Sequence, residues 1–223
     1  MAKIVTHNQD KQKAFWGKDE FLSTAQNKSF SEMIFELISE KTPSKGQLKI
    51  FELILNLSID HGSDTPSAQA TIESAKQGKS LSNAVADGLS QINSSHGGAI
   101  EGAMEMFYKI KNSKLKIQDL VGEYLKEGRR IPGFGHRIYE VDPRAQLLLE
   151  DLKTEENGPE FIQIAKDVES QLLAQKGRKL PLNIDGAIAL CLCVFGWEPK
   201  LGNAVFIIAR TPGLCGQYLN NAN

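Results

Sequence analysis

The sequence predicts an all-α protein, and three observations carry that expectation. From Phe30 onward, apolar residues recur at helical spacing in segment after segment. No segment sustains the period-two alternation of a half-buried strand. The periodic segments are divided by cap and breaker residues, among them Thr42-Pro43-Ser44, Asp142-Pro143 and Gly158-Pro159. Together they imply roughly ten helices and no sheet.

Residues 1–30 are weakly patterned, and Phe15-Trp16-Gly17 with Phe21-Leu22 mark only a short ordered piece. Met33, Ile34, Leu37 and Ile38 then make one apolar face, stopped at Thr42-Pro43. A second helix spans 44–59, with Leu48, Phe51, Leu55 and Ile59 predicted to face inward. Two more cover 67–76 and 80–92, separated by Gln77-Gly78-Lys79. Ala103, Met104, Phe107 and Ile110 define a helix over 99–110, and another covers 117–125 before Gly128. Asp142 is a good N-cap and Pro143 suits the first helical position, so a helix runs 142–152. Gly158-Pro159 opens the next, and Lys176-Gly177-Arg178-Lys179 is a basic linker after it. Residues 186–195 are apolar nearly all round, which predicts a buried helix, and 201–219 form a largely apolar last segment.

Composition bounds the function. With 223 residues, 41% apolar and 24% charged, the chain can bury a core of its own. A net charge of −1 offers no bulk attraction to nucleic acid or to an anionic membrane. No apolar run approaches a membrane span, and the polar stretch from Met1 to Lys13 is unlike a secretory signal. Cys191, Cys193 and Cys215 are odd in number and unpaired in spacing, so a reducing cytoplasm is expected.

The chemistry concentrates at the breaks. Arg130-Ile131-Pro132-Gly133-Phe134-Gly135-His136-Arg137 joins a glycine-rich turn to a histidine and cations. Such a turn lets a ligand approach the backbone, His136 can move a proton near neutral pH, and Arg137 and Arg144 can fork onto carboxylates or phosphates. The stretch reads either as a site for an anionic ligand undergoing proton transfer or as a helix–loop–helix corner with solvated charges. His61, His96 and His136 all stand beside glycine at predicted helix ends, where a histidine can equally be a cap. No short ligand spacing or carboxylate cluster makes them a metal site. Asp185 is open to two readings, an ionised N-cap or a buried carboxylate with a raised pKa that serves as a base. Arg210 lies in an apolar run and must be paired if buried, by a protein carboxylate or by an anionic ligand.

In order, Asp60-His61-Gly62, His96-Gly97-Gly98, Gly133-Phe134-Gly135-His136-Arg137, Asp142-Pro143-Arg144, Asn183-Ile184-Asp185 and Ala209-Arg210-Thr211 resemble the motifs of the citrate synthase superfamily. The resemblance runs from about Phe30 to Leu219. It is most similar to the compact citryl-CoA lyases and to the citryl-CoA lyase module of ATP-citrate lyase.

The resemblance implies a multi-helical homodimer or higher assembly. Its large domain would take 1–125 and 183–223, and a small mobile coenzyme A-binding domain would take 126–182. His136 would exchange a proton with the oxygen of the four-carbon acid, Asp185 would act at the acetyl methyl, and His96 would support the thioester oxygen. His61, Arg144 and Arg210 would hold carboxylates. Pro132, Gly133, Phe134, Gly135, Arg137, Lys176, Arg178 and Lys179 would contact coenzyme A. The implied reaction is reversible cleavage of citryl-CoA to acetyl-CoA and oxaloacetate, next to the tricarboxylic acid cycle, with no metal or redox cofactor. A citryl-CoA synthetase would be the partner protein. A minimal citrate synthase and a non-catalytic coenzyme A-binding subunit are the alternatives.

Three departures from the common synthase pattern matter. Ser58 stands where many synthases carry a further histidine. The spacing from His136 to Arg144 is one residue tighter. The chain ends at Asn223 without the extension that carries an arginine to the neighbouring subunit, so the carbon–carbon step is expected without thioester hydrolysis.

Overall fold

The computed structural model describes residues 3–9, 12–92, 98–113, 116–136 and 139–222. Among them the chain forms eleven helices and three short strands. It divides into two compact units, Met1–Glu52 and Leu53–Asn223. The whole of the expected mobile segment, 126–182, falls within the second.

The first unit corrects the expectation of no sheet. Strands β1 (Val5–His7), β2 (Ala14–Trp16) and β3 (Asp19–Glu20) pair antiparallel in the order β1-β2-β3. At two or three residues each, they are too short to show an alternation. Helices α1 (Phe21–Asn27) and α2 (Phe30–Ser39) follow, and Ser29 caps α2 by accepting from the Glu32 N–H. Glu40 then takes a left-handed conformation, φ 62°, and ends α2 before the predicted Thr42-Pro43 stop.

Glu36 is the polar centre of this unit and is 1% exposed. Its carboxylate accepts from Trp16 Nε1 and Lys3 Nζ, both at 3.0 Å, from Thr42 Oγ1 at 3.2 Å, and from Lys28 Nζ. Burial pushes its pKa up, but the bonds from Lys28, Trp16 and Lys3 outweigh burial and bring it down to about 2. A carboxylate depressed in this way stabilises the fold above its unfolded pKa, and that contribution is lost as pH falls from about 4.5 through about 2. Glu36→Gln is expected to cost about 3 kcal/mol at pH 7, because two lysines lose their buried counter-charge. Urea melts should show the gap between parent and variant narrowing towards pH 2. A constant gap across that range would assign the loss to packing.

Helix α3 (Lys45–Ser58) crosses the boundary between the units. Its buried face is Ile50, Phe51, Ile54 and Ser58, whereas Ile59 is 46% exposed. The predicted stripe was therefore displaced around the helix at all positions but Phe51. Two isoleucines beside leucines offered an equally apolar alternative phase.

In the second unit, α4 (Pro66–Lys76) packs on α5 (Leu81–Leu89), and α6 (Ala99–Asn112) packs on α10 (Ile184–Val194). Helices α7 (Ile117–Lys126) and α9 (Gly158–Lys176) pair with each other, and α8 (Pro143–Leu152) lies against α10. The last helix, α11 (Leu201–Leu219), contacts α4, α5 and α6. As its sequence predicts, α10 is the buried centre, and every residue from Gly186 to Cys193 is buried. Burial pushes the Cys191 thiol up and the Cys193 thiol to about 12, so both behave as small core residues. Among the described residues no helix is long and apolar enough to cross a membrane.

Candidate active site

The turn at 132–135 is stitched to the segment that leads into α10. Gly135 N–H donates to Pro181 O at 2.7 Å, Asn183 N–H to Gly133 O at 3.0 Å, and Asn183 Nδ2 to Gly135 O at 3.0 Å. Asn183 also caps α10, its Oδ1 accepting from the Gly186 N–H at 3.1 Å. Glu169 of α9 pins the same segment by accepting from the Leu182 N–H at 2.6 Å. The approach needs glycine on both sides. Gly133 has φ +81°, and a Cβ there would lie 2.7 Å from Gly186 Cα. A Cβ on Gly186 would lie 2.3 Å from Gly133 O. The turn that carries His136 is thereby locked to the helix end that carries Asp185.

Because Asn183 is the cap, Asp185 falls inside the first turn of α10. The cap reading of Asp185 is excluded, and the carboxylate remains for other work. Burial pushes its pKa up to about 6, against the pull of the Arg144 and Arg210 charges. Asp142 adds a smaller push in the same direction as burial.

Arg144 stands between two histidines. It approaches His61 Nε2 at 3.0 Å through Nη1 and His136 Nε2 at 3.4 Å through Nη2. Burial, with the charges of Arg210 and Arg144, brings the His61 pKa down to about 4, so this ring is neutral at pH 7. The same Nε2 also lies 3.2 Å from Leu57 O, so it faces a donor and an acceptor together. His136 is held differently. The Tyr139 backbone N–H donates to its Nδ1 at 3.0 Å, and the Tyr139 ring stacks on it at 4.6 Å between centroids. Donors thus face both ring nitrogens.

Asp142 was legible only as a cap, and it does more. It is fully buried, caps α8 through the Arg144 N–H at 3.1 Å, and binds Arg144 Nε at 3.0 Å and Nη2 at 2.8 Å. It also accepts from the Ile184 N–H at 3.1 Å, at the start of α10. Burial pushes its carboxyl up, but the Arg144 side chain and the two N–H groups hold it below the usual range. One carboxylate thus ties the arginine of α8 to the helix that bears Asp185.

Arg210 of α11 is fully buried. Its Nε donates to Ser58 O at 2.9 Å and it stacks on Phe206 at 4.8 Å. Among the described residues its Nη1 and Nη2 have no hydrogen-bond partner. Burial lowers its pKa, and the charges of Asp60 and Asp185 oppose that shift.

A cavity of about 810 Å³ lies beside this cluster. Its walls include Pro132–Gly135 and both His136 and Asp185. Four cations line it: Lys176 and Arg178 from the basic linker, with Arg129 and Arg130 before the turn. Arg129 and the lining residue Leu180 carry no sequence signal beyond their neighbourhood, whereas Lys179 is exposed and does not line the cavity. His96 and Arg137 lie outside the described residues. Among the described residues, no group of three or more His, Cys, Asp or Glu could hold a metal ion.

Comparison with known proteins gives the family. The profile described as citrate synthase, C-terminal domain, matches residues 1–223. The structure of citryl-CoA lyase from Hydrogenobacter thermophilus superposes with a TM-score of 0.88 at 34% identity, covering 99% of this chain and 86% of that one. A variant of ATP citrate lyase from Methanosaeta concilii, in complex with (3S)-citryl-CoA, gives a TM-score of 0.86 at 26% identity. It matches 99% of this chain and 38% of its own. The probable ATP-citrate synthase subunit 1 of Neurospora crassa is 33% identical over 189 residues, 77% of this chain. The chain spans 28% of the length of that relative. The fold is that of citrate synthase-type carbon–carbon bond enzymes, and the chain belongs to the citrate synthase family.

Proposed function

We propose that the chain is a citryl-CoA lyase, cleaving citryl-CoA reversibly to acetyl-CoA and oxaloacetate. The observation that carries this reading is the shared cavity: His136 and Asp185, a donor and a base of raised pKa, line the same space as four cations. The likeness to a citryl-CoA lyase over nearly the whole of both chains supports it.

In the condensing direction, ionised Asp185 takes a proton from the acetyl methyl. The enol carbon attacks the oxaloacetate carbonyl carbon, and the carbonyl oxygen receives a proton from His136. Arg144 and the Tyr139 N–H face that ring and offset the charge left on it. Cleavage is the reverse: the hydroxyl proton returns to His136, the carbon–carbon bond breaks, and protonated Asp185 delivers its proton to the enol carbon. His96 supports the enol oxygen. Arg210, Arg144 and His61 hold the carboxylates, as paired donors in a closed pocket should. Pro132–Gly135, Lys176 and Arg178, with Arg137 and Lys179, take coenzyme A, whose phosphates suit a cation-lined wall.

The reading includes a homodimer, a cytoplasmic setting and a citryl-CoA synthetase as partner. It also includes a mobile segment 126–182, which holds most of the cavity wall and within which the turn at 132–135 stays bonded to Asn183 while the rest moves. The test is an assay of the purified chain with citryl-CoA, following free thiol and oxaloacetate separately. Oxaloacetate should appear without free coenzyme A. Thiol released without oxaloacetate would mean hydrolysis and sink the lyase reading.

A further inference from the structure

We infer that Ser58 is a third donor to the substrate carboxylate that Arg210 receives, and so helps to set specificity for a carboxylate at that end of the site. The inference rests on the proposed lyase reading and extends it to the serine that stands where many synthases carry a further histidine.

Two buried polar side chains meet at the junction of α3 and α11. Ser58 and Arg210 are both fully buried, and the Arg210 Nε donates to the Ser58 carbonyl at 2.9 Å. Among the described residues, Ser58 Oγ, Arg210 Nη1 and Arg210 Nη2 are all without a hydrogen-bond partner. A serine hydroxyl lies close to its own carbonyl oxygen, so the three orphan donors are neighbours. Leaving one buried polar atom unsatisfied is costly, and leaving three together, one group charged, is the signature of a ligand seat.

The hydroxyl had a default partner. A helical serine or threonine commonly bonds the carbonyl four residues back. In this chain Thr24, Ser39, Thr71, Ser170 and Thr211 all do so, at 2.7–3.0 Å. Ser58, in the last turn of α3, makes no such bond. The junction is also rigid. A Cβ on Gly213 of α11 would lie 1.9 Å from Ile59 O, so α11 is pressed onto the end of α3 directly beside Ser58. Around it stand a neutral His61 and the charge of Arg144, while the Asp60 and Asp185 carboxylates act on Arg210 from the other side of the balance. A carboxylate oxygen fits two guanidinium donors and one hydroxyl, with charge balance supplied by Arg210.

Calorimetric titration of the full chain tests this, with parent, Ser58→Ala and Ser58→Cys titrated separately with oxaloacetate and with coenzyme A. Ser58→Ala should bind oxaloacetate about tenfold more weakly, the scale of a hydrogen bond to a charged group, with coenzyme A affinity unchanged. Ser58→Cys, of similar size but a weak donor, should fall with it. Parent-like oxaloacetate affinity in Ser58→Ala would overturn the inference while leaving the lyase reading intact. Equal weakening for both ligands would also overturn it, since that marks a packing role. A parent chain that binds no oxaloacetate would remove the lyase reading and this inference together.

Discussion

Asp185→Asn is expected to bind oxaloacetate as the parent does and to turn over at least about a hundredfold more slowly, the scale of lost general acid–base catalysis. The amide has nearly the shape of the carboxylate but cannot carry the carbon-bound proton. The pKa near 6 fixes a sign as well. Condensation needs ionised Asp185, so its kcat/KM should rise through about pH 6. Cleavage needs the protonated form to quench the enol, so its kcat/KM should fall across the same range. Stability moves with the cleavage limb. A carboxyl whose folded pKa is raised loses stability as pH climbs from the unfolded value of 3.8 towards 6, so Asp185→Asn should melt no lower than the parent at pH 7. Single-turnover rates against calorimetric affinity decide the matter. Parent-rate cleavage by Asp185→Asn would remove Asp185 from the chemistry.

Arg210→Leu should do the opposite, losing oxaloacetate affinity by about 2–5 kcal/mol because a desolvated carboxylate loses its charged partner. Coenzyme A, held by the cations of the cavity, should bind as before. The free protein should tolerate the change, since a buried guanidinium with two unpaired nitrogens gives way to an apolar side chain. A melting temperature near that of the parent makes the affinity measurement interpretable. Retained oxaloacetate affinity in a folded Arg210→Leu would show that Arg210 is structural.

The helices were legible because their signals are local. Asp142-Pro143 and Gly158-Pro159 open α8 and α9 where the cap rules put them, and the all-round apolar run of α10 is buried as its composition requires. What failed was whatever depends on a pairing or packing partner rather than on a local period. The strands β1 to β3 are made by pairing across turns, and two or three residues hold no period. The face of α3 could not be phased, because leucines and isoleucines lie on both sides of it. The site was legible by residue type and not by role. Asp142 looked complete as a cap, and nothing in the sequence brings Ile184, 42 positions later, to its second oxygen. Asp185 was ambiguous for the converse reason: only the structure gives the cap to Asn183, two residues earlier.

The lock between Gly133 and Gly186 has a consequence for how errors in the site are distributed. His136 and Asp185 reach the cavity from segments some fifty residues apart, and thermal motion of independent segments would blur the distance between them. Here the two backbones touch, and the bonds of Asn183 bind one to the other. A displacement of the turn therefore carries the start of α10 with it. The acid and the base drift together, as two marks on one ruler, and their separation is conserved while their position relative to a bound ligand varies. Alignment with the substrate then becomes a rigid-body search by one unit rather than a coincidence between two.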